Sequence, residues 1–243
     1  METLLERRNV LITGAARRLG RVFALSVAHA GGNVILHYGH SSSQAEALQS
    51  EIVSLGVRAY LLQADLADAQ QAAELLARAS EFGTVFGLVN SAAIYEPLTI
   101  GTTDLHAWDR HLAINLTAPF LLSQAFARQV PSGEEGCIIN ILDWRALRPA
   151  ADHLPYTVSK AALAALTQSL AIALAPRIRV NGLALGAILP PSDGEPTANL
   201  LSSVPAGRWA RLEELSQALL FLLTGPAYIT GEIIHLDGGR HLL

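Results

Sequence analysis

The sequence predicts one α/β domain, a doubly wound parallel sheet of seven strands with helices on both faces. Three observations carry this. Short apolar, β-branched runs alternate with longer helical stretches from Val10 to His235, the order expected when each strand returns through a helix to a parallel neighbour. The residues are 51% apolar and only 16% charged, which suits strands buried on both faces. A chain of 243 residues has room for one large domain or two small ones. No linker, repeat or compositional shift divides it, so residues 1–243 are read as a single unit.

The elements follow in order. Val10–Thr13 (V-L-I-T) is a short buried strand, and Gly14–Gly20 turns into a helix running to about Ala30. Asn33–Tyr38 is a strand and Ser41–Leu55 a helix; Val57–Gln63 and Ala69–Ser80 repeat the pair. Val85–Asn90 is the fourth strand, followed by a long helical region over about Leu105–Gln129. Gly136–Leu142 leads into a helix at Pro155–Ala175, and Ile178–Leu183 is the sixth strand. Leu212–Leu223 is the last helix and Glu232–His235 the last strand. The irregular piece is 186–210, rich in Pro, Ser and Gly, and a loop of this length in a compact domain is expected to be a lid over a substrate.

Composition excludes several classes. A net charge of −4 gives no electrostatic case for nucleic acid or an anionic membrane surface. Cys137 is the single cysteine, so there is neither an intrachain disulfide nor a cysteine-based zinc site. The histidines show no ligand pattern with neighbouring carboxylates, and no metal is assigned. Met1–Arg8 lacks a signal-peptide core. The apolar stretch near Ala161–Ala175 is broken by Thr167, Gln168 and Ser169 and reads as too short to span a bilayer. The expectation is a cytoplasmic protein.

Two regions carry chemistry. The turn from Gly14 to Gly20, between a strand and a helix N-terminus, offers backbone N–H groups to an anion, although Arg18 replaces the middle glycine of G-x-x-x-G-x-G. The end of the second strand decides which nucleotide fits, because an acid there binds a ribose 2′-hydroxyl and repels a 2′-phosphate. The run here is His37, Tyr38, Gly39, His40, Ser41, with donors and no carboxylate, so NADPH is favoured over NADH. Asp65, after the third strand, either accepts a hydrogen bond from adenine or caps the next helix.

The second region is D-W-R-A-L-R-P-A-A-D-H-L-P-Y-T-V-S-K, from Asp143 to Lys160. Tyr156 and Lys160 are four apart and share a helix face. A phenol near a fixed ammonium is an acid near neutral pH, because the cation favours the phenolate. Asp143 ends the preceding strand, where open α/β sheets place their ligands.

These segments together resemble the short-chain dehydrogenase/reductases over essentially the whole chain. T-G-A-A-R-R-L-G (Thr13–Gly20), Asn90-Ser91-Ala92-Ala93, Asn115, Y-T-V-S-K (Tyr156–Lys160), V-N-G-L-A-L-G (Val180–Gly186) and Y-I-T-G-E-I-I-H-L-D-G-G (Tyr228–Gly239) fall in that family's order and spacing. Arg18, H-Y-x-x-S after the second strand, and aspartate in place of the usual catalytic serine are similar to the pteridine reductase branch. The closing L-D-G-G-R-H-L is similar to its dihydromonapterin reductases. The resemblance implies a Rossmann-type fold, NADPH as hydride donor and a homotetramer packed through the helices at 105–129 and 155–175. It implies cofactor contacts from Gly14, Arg17, Arg18, Leu19, Gly20, Asp65, Leu66, Asn90, Ser91, Ala92, Gly186 and Ile188, besides the His37–Ser41 run. It further implies that Lys160 binds the nicotinamide ribose and lowers the Tyr156 pKa, that Asn115 holds a water feeding protons inward, that Arg17 reaches pyrophosphate and pterin, and that Tyr95 stacks on the pterin. Arg240 is expected near a neighbouring active site.

The departures are His40 where relatives often carry arginine, Ser91 and Ala93 in the N-N-A-G segment, Leu185 for proline, and Pro190 for a threonine. Tyr95 could instead be a core aromatic and Arg17 a solvated helix-start residue; Trp144, Arg145 and Trp209 line either the cleft or the surface. The reading is reduction of a dihydropterin (7,8-dihydromonapterin, a dihydrobiopterin-like compound or dihydrofolate) by NADPH, with Asp143, Tyr156, Lys160 and Asn115 as catalytic residues. An ionised Asp143 accepts from a pterin's 2-amino group and ring N–H, whereas it repels a ketone oxygen. The competitors are a carbonyl or alcohol oxidoreductase and a non-catalytic NADP-binding sensor.

Overall fold

Seven apolar runs become strands: β1 (Asn9–Ile12), β2 (Asn33–Tyr38), β3 (Ala59–Gln63), β4 (Val85–Asn90), β5 (Gly136–Asp143), β6 (Ile178–Leu185) and β7 (Ile233–Leu236). In the computed structural model, which describes residues 4–190 and 201–243, they form one sheet of order β3-β2-β1-β4-β5-β6-β7. Every neighbouring pair is parallel, so each connection must cross a face of the sheet, and helices make those crossings. They are α1 (Arg18–His29), α2 (Ser42–Ser54), α3 (Ala69–Ser80), α4 (Leu105–Leu112), α5 (Ala118–Gln129), α6 (Leu154–Leu174) and α7 (Leu212–Thr224).

The core lies in two layers because β1, β4 and β5 are apolar on both faces. One layer joins Val10, Ile12, Cys137 and Ile139 to Phe23 and Val27 of α1 and to Leu215 and Leu219 of α7. The other joins Leu11, Leu88 and Ile138 to Leu75 and Leu76 of α3 and to Leu122 and Phe126 of α5. Successive strand residues point to opposite faces, so V-L-I in β1 feeds both layers. The strand order reverses between β1 and β4, and the crevice at their carboxyl ends is where such sheets bind ligands.

Two elements differ from the sequence expectation, and a third lies partly outside the described residues. The region at 105–129 is not one regular α-helix: a π-turn over Ala113–Thr117 separates α4 from α5. The helix at 155–175 begins at Leu154 and is 21 residues long, with mean hydropathy 1.4 over an 18-residue window, so length and composition alone would let it cross a membrane. It instead lies against the sheet, burying Tyr156, Lys160, Leu163, Ala164, Thr167 and Ala171. Of the expected lid at 186–210, residues 191–200 lie outside the described residues. Its two ends are tied down, Ala210 N–H donating to Ala187 C=O and Ala206 N–H to Gly238 C=O, both at 3.0 Å.

Candidate active site

The turn after β1 is shaped by close backbone approach. Gly14 sits at φ +64°, and a Cβ there would lie 2.9 Å from Ala92 Cα; a Cβ on Gly20 would lie 2.1 Å from Gly14 C=O. Only glycine fits either place. Arg18, where the pattern's middle glycine is replaced, takes φ +51°, a left-handed conformation that costs a non-glycine residue about 1–2 kcal/mol. No side chain caps α1 at Arg17, so the first-turn N–H groups are available to an anion. Thr13 Oγ1 fastens the neighbouring strand end, accepting from Ser91 N–H and Ala92 N–H at 2.9 and 3.0 Å. Asn90 Nδ2 donates to Asn140 Oδ1 at 2.8 Å, while its own Oδ1 is buried without a partner. An uncapped helix start, a glycine cradle and an orphaned buried acceptor at one sheet edge fit a dinucleotide with its pyrophosphate on α1.

One expected cofactor contact needs correction. His37 is buried, its Nδ1 accepts from Gly14 N–H at 3.1 Å, and its Nε2 lies 3.1 Å from Ala64 C=O. Both ring nitrogens are used, the second as donor, and burial lowers the pKa to about 4. His37 therefore braces the glycine turn as a neutral ring and has nothing to offer a 2′-phosphate; His40 and Ser41, exposed and half-buried beside the start of α2, keep that option. Arg17 and Arg18 are both exposed at the helix start, and Arg18 Nη2 donates to Pro190 C=O at 2.9 Å. Asp65 does not cap α3. Its Oδ1 accepts from Ala67 N–H, and Asp68 is the cap, accepting from Gln70 and Gln71 N–H. Leu66 and Ile188 are buried, while Leu19, Tyr38 and Gly186 are half-buried.

At the carboxyl ends of β5 and β6, Asp143, Tyr156 and Lys160 come together. Tyr156 Oη donates to Asp143 Oδ2 at 3.1 Å, and Arg145 N–H donates to Asp143 Oδ1 at 2.9 Å. Lys160 Nζ donates to Ile141 C=O at 2.6 Å and stands 5.8 Å from the Tyr156 ring centre. Burial pushes Asp143 above the usual carboxylate range, against the Arg145 N–H, the Tyr156 hydroxyl and the charges of Arg145 and Lys160. Burial also brings Lys160 down to about 8, with Asp143 opposing. The expected lowering of Tyr156 is overturned: burial, then the charge and hydrogen bond of Asp143, push it well above the ordinary phenol value. The ammonium is spent on Ile141, while a carboxylate touches the hydroxyl.

Asn115 is fully buried in the π-turn. Its Oδ1 accepts from Ile94 N–H at 2.9 Å, and its Nδ2 donates to Ile94 C=O at 3.1 Å and to Ser159 Oγ at 3.0 Å. Both amide protons are committed, so a water could meet this side chain only at the second lone pair of Oδ1. Asn115 instead clamps the loop after β4 to the helix of Tyr156, through Ser159, a residue whose place in Y-T-V-S-K carried no separate signal.

Tyr95 reaches the site from that clamped loop. Its ring meets Tyr156 edge-on at 4.7 Å and 85°, and one face stacks on His153 at 4.0 Å and 14°. It is 54% exposed, which removes the core-aromatic alternative. His153 Nδ1 lies 3.0 Å from Asp152 Oδ2, and Arg145 takes Asp152 bidentately at 2.6 and 3.2 Å. This network was not legible, because pairing across seven residues of an irregular segment follows no period. Trp144 lies between two guanidinium groups, Arg145 at 5.1 Å and Arg240 at 4.2 Å from the ring. Arg240 stands beside Trp144 of its own chain.

A family model described as Enoyl-(Acyl carrier protein) reductase matches residues 14–241. A 3-oxoacyl-[acyl-carrier-protein] reductase of Synechocystis sp. is 32% identical over 242 residues, covering 98% of each chain. An L-rhamnose 1-dehydrogenase (NAD(P)(+)) of Sphingomonas sp. is 34% identical, again over 98% of both. Among solved structures, FolM Alternative dihydrofolate reductase 1 from Brucella canis, complexed with NADP, superposes with a TM-score of 0.93 at 34% identity, covering 100% of this chain and 97% of that one.

Proposed function

We propose that this chain, which belongs to the short-chain dehydrogenase/reductase family of NAD(P)-dependent oxidoreductases, reduces a dihydropterin to its tetrahydro form with NADPH. The observation that carries the reading is the hydrogen bond from Tyr156 Oη to Asp143 Oδ2 at 3.1 Å. It puts a half-buried carboxylate beside the proton donor, where it can accept from the 2-amino group and ring N–H of a pterin. The likeness to the Brucella reductase, solved with NADP, supports both substrate class and cofactor.

Bound NADPH supplies a hydride. The first turn of α1 would hold its pyrophosphate, His40 and Ser41 would meet its 2′-phosphate, and Lys160, with ammonium protons beyond the one given to Ile141 C=O, would bind its nicotinamide ribose. Tyr156 delivers the proton to the nitrogen of the reduced C=N bond, so that carbon gains hydride and nitrogen gains H⁺. Asp143 orients the pterin, Tyr95 offers its free face to the ring, and Asn115 keeps Tyr95 and Tyr156 in register through Ile94 and Ser159. Four copies assemble through α4–α5 and α6, which leave Phe120 and Ile172 on the surface at 40% and 84% exposure. Sedimentation at about the mass of one 25.8 kDa chain would remove the tetramer.

Carbonyl reduction is the second reading, favoured by the relatives named as 3-oxoacyl reductase and rhamnose dehydrogenase. The deciding experiment follows NADPH oxidation with 7,8-dihydromonapterin, dihydrobiopterin and dihydrofolate in parallel, with a 3-oxoacyl thioester and NADH as controls. Turnover of a dihydropterin with NADPH is expected. Turnover of the thioester alone would transfer the conclusion to carbonyl chemistry.

A further inference from the structure

The last turn of the chain is built as a rigid mount. Asp237 is buried, and its Oδ1 accepts from Gly239 N–H at 2.9 Å. Its Oδ2 accepts from His241 N–H and stands 2.8 Å from His241 Nδ1. Gly238 and Gly239 take φ +63° and +85°, which lets the chain fold back, and Arg148 Nη1 donates to His241 C=O at 3.1 Å. What this mount presents is Arg240, its guanidinium carbon 4.2 Å from the Trp144 ring centre. Trp144 directly follows Asp143.

Among the described residues Arg240 has no ion-pair partner, and its Nε is buried without a hydrogen-bond acceptor. The nearby carboxylates are otherwise engaged. Asp152 is held bidentately by Arg145, and Asp143 accepts from Tyr156 and from Arg145 N–H. A guanidinium stacked on an aromatic face keeps its N–H edge free, and that edge matches a carboxylate or phosphate oxygen pair. Asp143 and Asp152 favour its charge from a distance, but its buried Nε still lacks an acceptor that a ligand oxygen would supply.

We infer that Arg240 is the docking cation of its own chain's site for an anionic group on the substrate, so that the pterins taken best carry a carboxylate or a phosphate. This rests on the pterin reading above and narrows it. A neutral polyol side chain offers Arg240 no charge-assisted bond.

The test is calorimetric titration of NADP-loaded protein with three oxidised ligands that need no turnover: 6-hydroxymethylpterin, its diphosphate ester and folate. Wild-type protein is expected to bind at least one anionic ligand about tenfold or more tighter than the neutral alcohol, the size of a charge-assisted hydrogen bond. Arg240→Gln is expected to cut that advantage to about twofold or less, with the neutral ligand as internal reference for a folded site. Which anionic ligand gains distinguishes carboxylate from phosphate. Equal affinities in the wild type, or an advantage that Arg240→Gln retains, would overturn the inference and leave the pterin reading standing. Failure of all three pterins to bind would instead overturn the pterin reading, and this inference with it.

Discussion

Acidification should loosen the glycine turn through His37. The ring is neutral in the folded chain because its Nδ1 accepts from Gly14 N–H and burial excludes the charged form. Its pKa is about 4 folded against 6.5 for the free side chain. Between these values the unfolded chain binds the extra proton, so stability falls as pH falls. It is fully present above 6.5 and lost progressively down to about 4. The whole shift corresponds to about 3 kcal/mol and the loss by pH 5 to about 2 kcal/mol. His37→Gln keeps an acceptor and a donor on one side chain but removes the titration. Urea unfolding of both proteins from pH 8 to pH 5 is the assay, read as the difference between them so that other groups cancel. The wild type should lose about 2 kcal/mol relative to the variant across that range. A constant difference would mean that the imidazole is charged or solvated in the folded chain, and the bracing role would go with it.

Two further predictions concern chemistry. Asp143→Ser removes charge-assisted hydrogen bonds worth about 1.5–3 kcal/mol each, so kcat/KM for a dihydropterin should drop about 10- to 100-fold while turnover of a carbonyl substrate rises; unchanged pterin kinetics would deny Asp143 its role. Lys160 titrates at about 8, so kcat/KM should decline above that pH and Lys160→Arg should carry the decline upward; a profile flat to pH 10 would show that the ammonium charge is not used.

The architecture was legible because parallel strands buried on both faces leave near-continuous apolar runs, and all seven stand where those runs stand. Asp143, Tyr156 and Lys160 were legible for a related reason: one closes a strand and the others sit four apart on a helix. The errors arose where function depends on side-chain direction. Nothing in R-R-L-G says that Arg18 reaches Pro190 C=O, 172 positions away. His37 reads as a phosphate donor in a polar run, yet strand alternation places it inward, towards Gly14 and Ala64. Asn115 was found as a residue but not as a clamp, since its partners Ile94 and Ser159 are 21 and 44 positions away.

The reversed acidity of Tyr156 bears on the choice of substrate. A phenol made less acidic by burial and by Asp143 suits an acceptor that is itself basic. An imine nitrogen is a stronger base than a carbonyl oxygen, so it takes a proton from a weaker acid, and general acid catalysis works best when donor and acceptor are matched. Ketone reduction builds alkoxide character on oxygen, which an adjacent carboxylate destabilises and a serine hydroxyl would stabilise. C=N reduction leaves a more basic nitrogen, which draws its proton from a weaker acid, and under the proposed reading Asp143 would accept from N–H groups elsewhere on the ring. Under the proposed reading, the aspartate that makes Tyr156 a poor acid for a ketone leaves it an adequate one for a dihydropterin and would anchor the pterin from the same position.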